Sequence, residues 1–187
     1  QTLNSYATWY FWLNLTTYNT CQAFISKRTN YFTNNAFGIG INFGGFTCAN
    51  DIAIEYSTNG TANNENCFNR TYIPLNRWTF FTAVYNKSDS QNVRLYINGT
   101  EIPSLISTNN NQPLFAGTRP IYIGMINDGA VCPLNGKIDE IKVFNRSLSK
   151  NQILELYKNN QNITVSEETN IGEVWSVAIT PNDARED

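Results

Sequence analysis

Short runs in which apolar and polar residues alternate recur along the chain. In the run YATWYFWL (6–13), Trp9 and Phe11 fall on one face of an extended strand. Tyr10 and Trp12 fall on the other face. Further runs of this kind lie at 37–43, 51–56, 78–85, 93–99, 121–124 and 137–144. Short alternating strands separated by polar turns predict an all-β, antiparallel two-sheet sandwich.

One segment has helical rather than strand periodicity. In KNQILELYK (150–158), Ile153 and Leu156 share one stripe of a helix. Either Ser147 or Ser149 supplies the N-cap. We expect this short helix to cover a sheet edge or close one end of the sandwich.

Composition excludes several function classes. The formal net charge is −2 and no basic run is present, which argues against nucleic acid as a partner. No apolar stretch reaches the roughly 18 residues needed to span a membrane. The chain contains no histidine, which argues against a zinc site and against a Ser-His or Cys-His nucleophile pair.

The four cysteines have no close spacing of the zinc-ligand kind and favour two disulfides. Disulfides place the chain in an oxidising compartment, extracellular or at the cell surface; the alternative is four reduced thiols in a cytosolic protein. If the strands simply alternate in direction, Cys21 and Cys48 fall at one end of the sandwich and Cys67 and Cys132 at the other. A strand's length exceeds the reach of a disulfide. The predicted pairs are therefore Cys21–Cys48 and Cys67–Cys132.

Seven asparagines open an N-x-[ST] triplet, which is the acceptor pattern for N-glycosylation. A chain so rich in Asn, Ser and Thr contains several such triplets by chance. The candidates in a surface glycoprotein are Asn14, Asn59, Asn69, Asn86, Asn98, Asn145 and Asn162.

Six segments, taken in order, resemble the laminin G-like domains of the concanavalin A-like lectin/glucanase superfamily. They are SYATWYFWLNL, QAFISKR, PLNRWTFFTAVYN, VRLYINGTEI, PIYIG and NGKIDEIKVFNRSLSKNQILELY. The resemblance covers about residues 4–158. It implies a jelly-roll of two curved antiparallel sheets, and a domain that binds glycans, proteins or calcium.

The resemblance also implies one further strand, before SYATWYFWL and beside the closing strand, that this chain starts too late to contain. We therefore expect a laminin G-like domain at 1–160 that lacks its first strand. Residues 161–187 form a polar linker followed by a strand pattern, VWSVAIT (174–180). That strand either begins a following domain or is donated to the open sheet edge of a neighbouring subunit in a head-to-tail filament.

Asp139 is the most unusual acidic residue in the predicted strands. In KIDEIKVF it shares the apolar face with Ile141, so its carboxylate is expected to point inward. The resemblance supports a structural calcium there, with Asn127 and Asp128 from the same end as further ligands. The preferred interpretation is that Asp139 accepts backbone N–H groups from the adjoining loop or the missing strand and that the chain has no cofactor.

Catalysis is not expected. Glu140 falls on the face opposite Asp139, so these two carboxylates should point apart, whereas a glycosidase needs a facing pair. The E-x-D-x-E pattern of glucanases in this superfamily is absent. The three residues Tyr6, Tyr10 and Trp12 form either a sugar platform or a second packed face, and Trp78 is expected in the core.

The sequence therefore predicts a non-catalytic structural or adhesion module of an extracellular glycoprotein. Its expected partner is a neighbouring subunit or adjoining domain at the open sheet edge. The alternative is a carbohydrate-binding module of a larger extracellular protein or enzyme.

Overall fold

The fold is given by a computed structural model that describes residues 5–28, 35–42, 48–61, 64–108, 110–127 and 131–159. The strands are β1 (Tyr6–Leu15), β2 (Gln22–Lys27), β3 (Phe37–Ile41), β4 (Ile52–Tyr56), β5 (Asn64–Phe68), β6 (Trp78–Asn86), β7 (Val93–Ile97), β8 (Thr100–Ile102), β9 (Ser104–Ile106), β10 (Tyr122–Ile123) and β11 (Gly136–Phe144). A 3₁₀ turn spans Arg70–Tyr72, and α1 spans Lys150–Tyr157. The predicted strand at 174–180 lies outside the described residues.

The strands form two antiparallel sheets that face each other. One sheet has five strands in the order β11-β1-β6-β7-β8, and the other has six in the order β10-β2-β3-β4-β5-β9. The all-β sandwich predicted from alternation is confirmed. No helix in the described part of the chain has the length and apolarity needed to cross a lipid bilayer.

The core lies between the sheets and is dominated by the inner face of β1. Trp9, Phe11 and Leu13 are at most 1% exposed. The Phe11 ring stacks on Phe81 of β6 at 4.8 Å between centroids and meets Phe24 of β2 edge-on at 6.2 Å. Burying one such side chain contributes roughly 1.5–3 kcal/mol. The two sheets are therefore held together chiefly through aromatic contacts of their central strands.

The outer face of β1 has a cover of its own. Tyr10 packs with Phe80 and with the apolar stripe of α1, which includes the fully buried Ile153. Ser149 caps the helix: its hydroxyl accepts the backbone N–H of Gln152, whose side chain in turn accepts the backbone N–H of Ser149. The helix therefore lies on the face of the five-stranded sheet and not at its edge. There it buries the aromatic side chains that point outward from the sheet.

Strand β11 contains a β-bulge that overturns the predicted orientation of Asp139. Glu140 has a φ of 49°, and the register between β1 and β11 shifts at this point. Both Ile138 and Ile141 consequently pack against the core, three residues apart. Asp139 is exposed and lies on the outer face. Its expected inward orientation is wrong because strict alternation does not survive an inserted residue.

The predicted disulfide pairing is also wrong, because the bonds are Cys48–Cys67 and Cys21–Cys132. Counting strand directions from the sequence omitted β5, which pairs antiparallel with β4 and places Cys67 directly opposite Ala53. Because β5 returns the chain to the end where β4 begins, Cys67 lies beside Cys48.

Cys132 lies at the same end of the sandwich as Cys21. Strand β11 runs antiparallel to β1, and its first residue, Gly136, pairs with the last residue of β1, Leu15. The loop before β11 therefore adjoins the loop after β1. The backbone N–H of Ala23 donates to the Cys132 carbonyl at 2.8 Å, which fixes the two loops together.

We predict that removing Cys21–Cys132 destabilises the protein more than removing Cys48–Cys67. Closing loops of 111 and 19 residues stabilises a fold by about 5 and about 3 kcal/mol in the chain-entropy model. Urea unfolding of the two double-serine variants measures the difference. Equal losses, or a peptide map of the unreduced protein showing Cys21 linked to Cys48, would contradict this description.

We also predict that Gly136→Ala destabilises the protein by about 1–3 kcal/mol. A Cβ at this position would lie 2.3 Å from the Asn14 carbonyl oxygen, so β11 would have to move away from β1. Lys137→Ala, which truncates the neighbouring exposed side chain, is the matched control and should change stability by less than about 0.5 kcal/mol. Thermal and urea unfolding of both variants test this, and similar losses would argue against the close contact.

Candidate functional site

One end of the outer face of the five-stranded sheet is not covered by α1. Two rows of side chains cross the sheet there. In one row Asp139 of β11 is in register with Trp12 of β1. In the next row Lys137 of β11, Asn14 of β1 and Trp78 of β6 are in register. Aromatic, acidic and amide groups therefore share a small surface.

A cavity of about 320 Å³ opens on this surface, lined by Trp12, Trp78, Asp139 and Glu140. We call it the tryptophan cleft. Its volume is at the lower end of the range of small-molecule sites, about 300–1,000 Å³. Trp78 is 45% exposed, so one of the two indoles has much of its surface available to a ligand.

The two tryptophans are held differently. The Trp12 ring lies 5.3 Å from Phe80 and 6.2 Å from Tyr157 of α1, centroid to centroid. It is thus a fixed wall built from the sheet and the helix. Trp78 is the first residue of β6, after the exposed turn residues Asn76 and Arg77. The expectation that it is a core residue is wrong, and the polar turn before it is the sequence signal for its exposure.

The bulge brings both carboxylates to the same cleft. Glu140 donates its backbone N–H to Oδ1 of Asp139 at 2.7 Å, and both residues are exposed. The prediction that their side chains point apart is wrong, because the bulge interrupts the alternation of side-chain directions along β11 at Glu140. The cleft therefore has two aromatic surfaces and two acidic groups.

A basic group lies beyond the acidic pair on β11. A hydrogen bond with Tyr10 raises the pKa of Lys142, and the charge of Glu140 adds to the effect. The Lys142 ammonium also lies over the Tyr10 ring, 5.6 Å from its centroid. Lys142 therefore keeps its charge, and the outer surface of β11 carries both signs.

Such a combination suits a polyhydroxylated ring. The C–H face of a sugar packs on an indole, as apolar groups do on aromatic surfaces. Its hydroxyl groups donate to ionised carboxylates, and such charge-assisted hydrogen bonds are stronger than neutral ones. An anionic sugar would be repelled by two carboxylates. The cleft is thus suited to neutral or amino sugars.

The proposed calcium ligands are not brought together. Asp139 lies on the outer face of the five-stranded sheet. Ser26 lies on the outer face of the six-stranded sheet, and its hydroxyl donates to the carbonyls of the two residues just before Asn127. Asn127 therefore lies near that face. The two sheets are about 10 Å apart, so Asp139 and Asn127 do not fit one ion. Asp128 lies outside the described residues.

Another cluster also fails as a metal site. Ligand atoms of Cys48, Glu65 and Cys67 lie within 4.8 Å of one another. Both sulfurs belong to a disulfide and are therefore not available as thiolates.

The outer face of the six-stranded sheet carries a buried ion pair. The guanidinium of Arg28 donates to Oε2 of Glu55, and the two side chains are 7% and 3% exposed. Paired charges of this kind are structural by default, because breaking one leaves a buried charge uncompensated. A second cavity of about 600 Å³ is lined by residues that include Cys21 and Pro133, and its lining in the described ranges has neither an aromatic nor an ionisable side chain.

The glycosylation candidates occupy different local structures. In Asn59 and Asn69 the side-chain oxygen accepts the backbone N–H and the hydroxyl of the threonine two residues later. Asn86 accepts the backbone N–H of the serine two residues later. Asn98 accepts the backbone N–H of Phe80. Asn145 is exposed after β11.

Asn14 lies on the outer face of β1, one residue before the end of the strand. Asn162 lies outside the described residues. The sequence identified Trp12, Asn14 and Asp139 as candidates for separate roles. The structure places them side by side.

Comparisons with known proteins agree with this fold. Residues 1–154 match a laminin G-like family model described as concanavalin A-like lectin/glucanases superfamily. No curated protein sequence matches the chain at a significant level. Among solved structures, a heptameric SAP-like pentraxin from Limulus polyphemus is 18% identical with a TM-score of 0.59, over 84% of this chain and 72% of that one.

Botulinum neurotoxins are also similar. One structure is of the type C toxin, whose cell entry depends on interaction with two ganglioside molecules; it is 20% identical with a TM-score of 0.58, over 86% of this chain and 37% of that one. The binding domain of serotype G is 19% identical with a TM-score of 0.62, over 85% and 37%. The chain thus spans well under half of each toxin chain, and likeness at this identity shows the fold alone. The match over residues 1–154 and the two observed sheets show that the chain belongs to the concanavalin A-like lectin/glucanases superfamily.

Proposed function

We propose that this protein is a non-catalytic, glycan-binding module of a secreted or cell-surface protein, and that the tryptophan cleft holds the sugar. The observation that carries the proposal is the exposed Trp78 indole beside Asp139 and Glu140. The two disulfides support an oxidising, extracellular location. The fold supports a lectin-like role because similar folds include a ganglioside-dependent toxin.

The arrangement of the carboxylates favours binding over hydrolysis. A glycosidase places one carboxyl group on each side of the scissile bond. Asp139 and Glu140 are successive residues of one strand and are linked by a hydrogen bond, so both flank the same side of the cleft. Both are exposed to water, whereas a general acid for this reaction is usually set in an apolar environment.

Domain organisation follows the same proposal. We take residues 1–160 as the binding domain and residues 161–187 as a linker with a further strand that belongs to a neighbouring domain or subunit. The described residues that build both sheets and α1 all lie within the first of these two ranges.

We predict that the protein selectively binds neutral oligosaccharides and that Trp78→Ala lowers the affinity about tenfold. A stacked aromatic contact and its buried area together supply about 1.4 kcal/mol, which is tenfold in affinity. A glycan array followed by calorimetry, both on protein from cells that do not N-glycosylate, measures this. Because Trp78 is 45% exposed, the unglycosylated variant should keep a melting temperature close to that of the parent.

Tyr72→Ala is the matched control, since Tyr72 is 43% exposed in the 3₁₀ turn and lies outside the cleft. It should leave affinity unchanged. Asp139→Asn should weaken binding, because the neutral amide forms weaker hydrogen bonds with hydroxyl groups. Equal affinities of the parent and Trp78→Ala proteins, or silence across the array, would contradict the proposed function.

A second candidate function, assembly through an open sheet edge, is favoured by strand β11. This strand is nine residues long and, within the described ranges, pairs on one side with β1 and forms an edge of the sheet. Val143 on this edge is 37% exposed. A long edge with unpaired backbone groups is a template for an added strand. The candidate strand is 174–180 of a neighbouring copy, in a head-to-tail filament, or of an adjoining domain.

We predict that, if copies assemble in this way, the full chain sediments as oligomers and a chain ending at residue 171 sediments as a monomer. Val143→Lys should also give a monomer, because a charge on an edge strand opposes strand addition. Ile123→Lys is the matched control, since Ile123 is a 49% exposed residue on β10, an edge of the other sheet. Monomers of the full chain at all concentrations would reject strand donation between copies.

A further inference from the structure

Asn14 lies in a glycosylation triplet that is built into β1 with a fixed orientation. In the segment from Trp12 to Thr16, the side chains of Leu13 and Leu15 are fully buried in the core. The side chains of Trp12 and Asn14 must therefore lie on the opposite, outer face. Thr16, the third residue of the triplet, is exposed.

The neighbours of Asn14 are the residues of the tryptophan cleft. Asn14 is directly opposite Trp78 of β6, and such pairs have Cβ atoms about 4.5–5.5 Å apart. Trp12 is two residues away on the same face of the strand, about 7 Å along it. On the other side Asn14 is opposite Lys137. A sugar joined to Asn14 therefore begins within contact distance of the exposed Trp78 indole.

We infer that Asn14 carries an N-linked glycan and that its first sugar packs into the tryptophan cleft against Trp78. The glycan would be a ligand supplied by the chain itself. A modified chain is then closed to external glycans at this cleft and an unmodified chain is open. This consequence for external ligands rests on the proposed function, whereas occupancy and packing at Asn14 do not.

The modification is an ordinary group transfer from a glycosyl donor with a diphosphate leaving group. The bond between C1 of the sugar and the phosphate oxygen breaks, and its electron pair leaves with the diphosphate. A new bond forms between C1 and Nδ2 of Asn14, and Nδ2 loses one proton to a base of the transferase. The product keeps an N–H at Nδ2 and an acceptor oxygen at Oδ1.

Four of the other triplets have a different setting. Asn59 and Asn69 bond with the threonine two positions later outside the strands, and Asn86, the last residue of β6, bonds with Ser88 of the following turn. Asn145 is exposed beyond the end of β11. A sugar at Asn59, Asn69 or Asn145 starts outside the strands, and one at Asn86 starts opposite Tyr6, whereas one at Asn14 starts beside two indoles. Stabilisation by packing is therefore expected at Asn14.

The experiment compares the full chain secreted from glycosylating cells with its Thr16→Ala and Thr16→Ser variants. The alanine removes the acceptor pattern and the serine keeps it, while Asn14 itself is unchanged. Thr16 is exposed, and its backbone N–H bond to the Asn135 carbonyl is independent of the side chain. Mass spectrometry of the peptide containing Asn14 should show a glycan in the parent and the serine variant only.

Packing is tested by a double-mutant cycle with Trp78→Ala. We expect Thr16→Ala to lower the melting temperature by roughly 2–4 °C in the parent background and by almost nothing in the Trp78→Ala background. Asn145→Gln, which removes an exposed triplet, should not depend on Trp78. An unmodified Asn14, or equal losses in the two backgrounds, overturns the inference.

The same proteins separate this inference from the proposed function. The Thr16→Ala protein, with an open cleft, should bind neutral oligosaccharides at least tenfold more tightly than the modified parent. If it binds none while Asn14 is occupied and coupled to Trp78, the proposed function fails and the glycan packing stands. If it binds and Asn14 is empty, the proposed function stands and the inference fails.

Discussion

Strand β1 has large aromatic side chains on both faces, and each face requires its own cover. The six-stranded sheet covers Trp9 and Phe11, and α1 covers Tyr10. The helix has only eight residues, about 12 Å at 1.5 Å per residue, and β1 has ten, which is more than twice that length. Part of the outer face of the sheet is therefore left open, and the tryptophan cleft occupies that part. The candidate site follows from incomplete cover of an otherwise buried strand.

Much of the fold was predictable from local pattern. Alternation gave the main strands, and the capping box at Ser149 is readable from the sequence because its partner Gln152 stands three residues later. Strand β5, with the sequence NENCF, could not be found in this way, since it has little apolar alternation and forms through backbone pairing with β4. Its omission also produced the wrong disulfide pairs, because each missed strand reverses the assigned direction of those that follow.

The candidate site was less predictable than the fold, and the bulge at Glu140 is the reason. In KIDEIKVF, Ile141 and Val143 keep period two, but Ile138 is out of phase with them, and this three-residue spacing is the local sign of an inserted residue. The inserted residue allows both Ile138, which pairs with Leu13, and Ile141 to pack against the core. Asp139 therefore lies in the cleft and not in the interior, where strict alternation predicts it. The resemblance to a family predicted the architecture but not this placement, since functions differ among proteins that share a fold.

The position of Cys21–Cys132 has a mechanical consequence. Strands β1 and β11 are adjacent and antiparallel, so the chain enters at Tyr6 and leaves near Phe144 at one end of the same ladder. Tension applied through the chain would peel these strands apart from that end, bond by bond. The disulfide joins the chain just beyond the other end of the ladder, so the peeling stops there. Residues 22–131 lie outside the path of the force, so the disulfide confines direct loading to the first and last strands. Stripping β1 would still remove Trp9, Phe11 and Leu13 from the core, so the sandwich would lose its packing without its other strands being pulled straight.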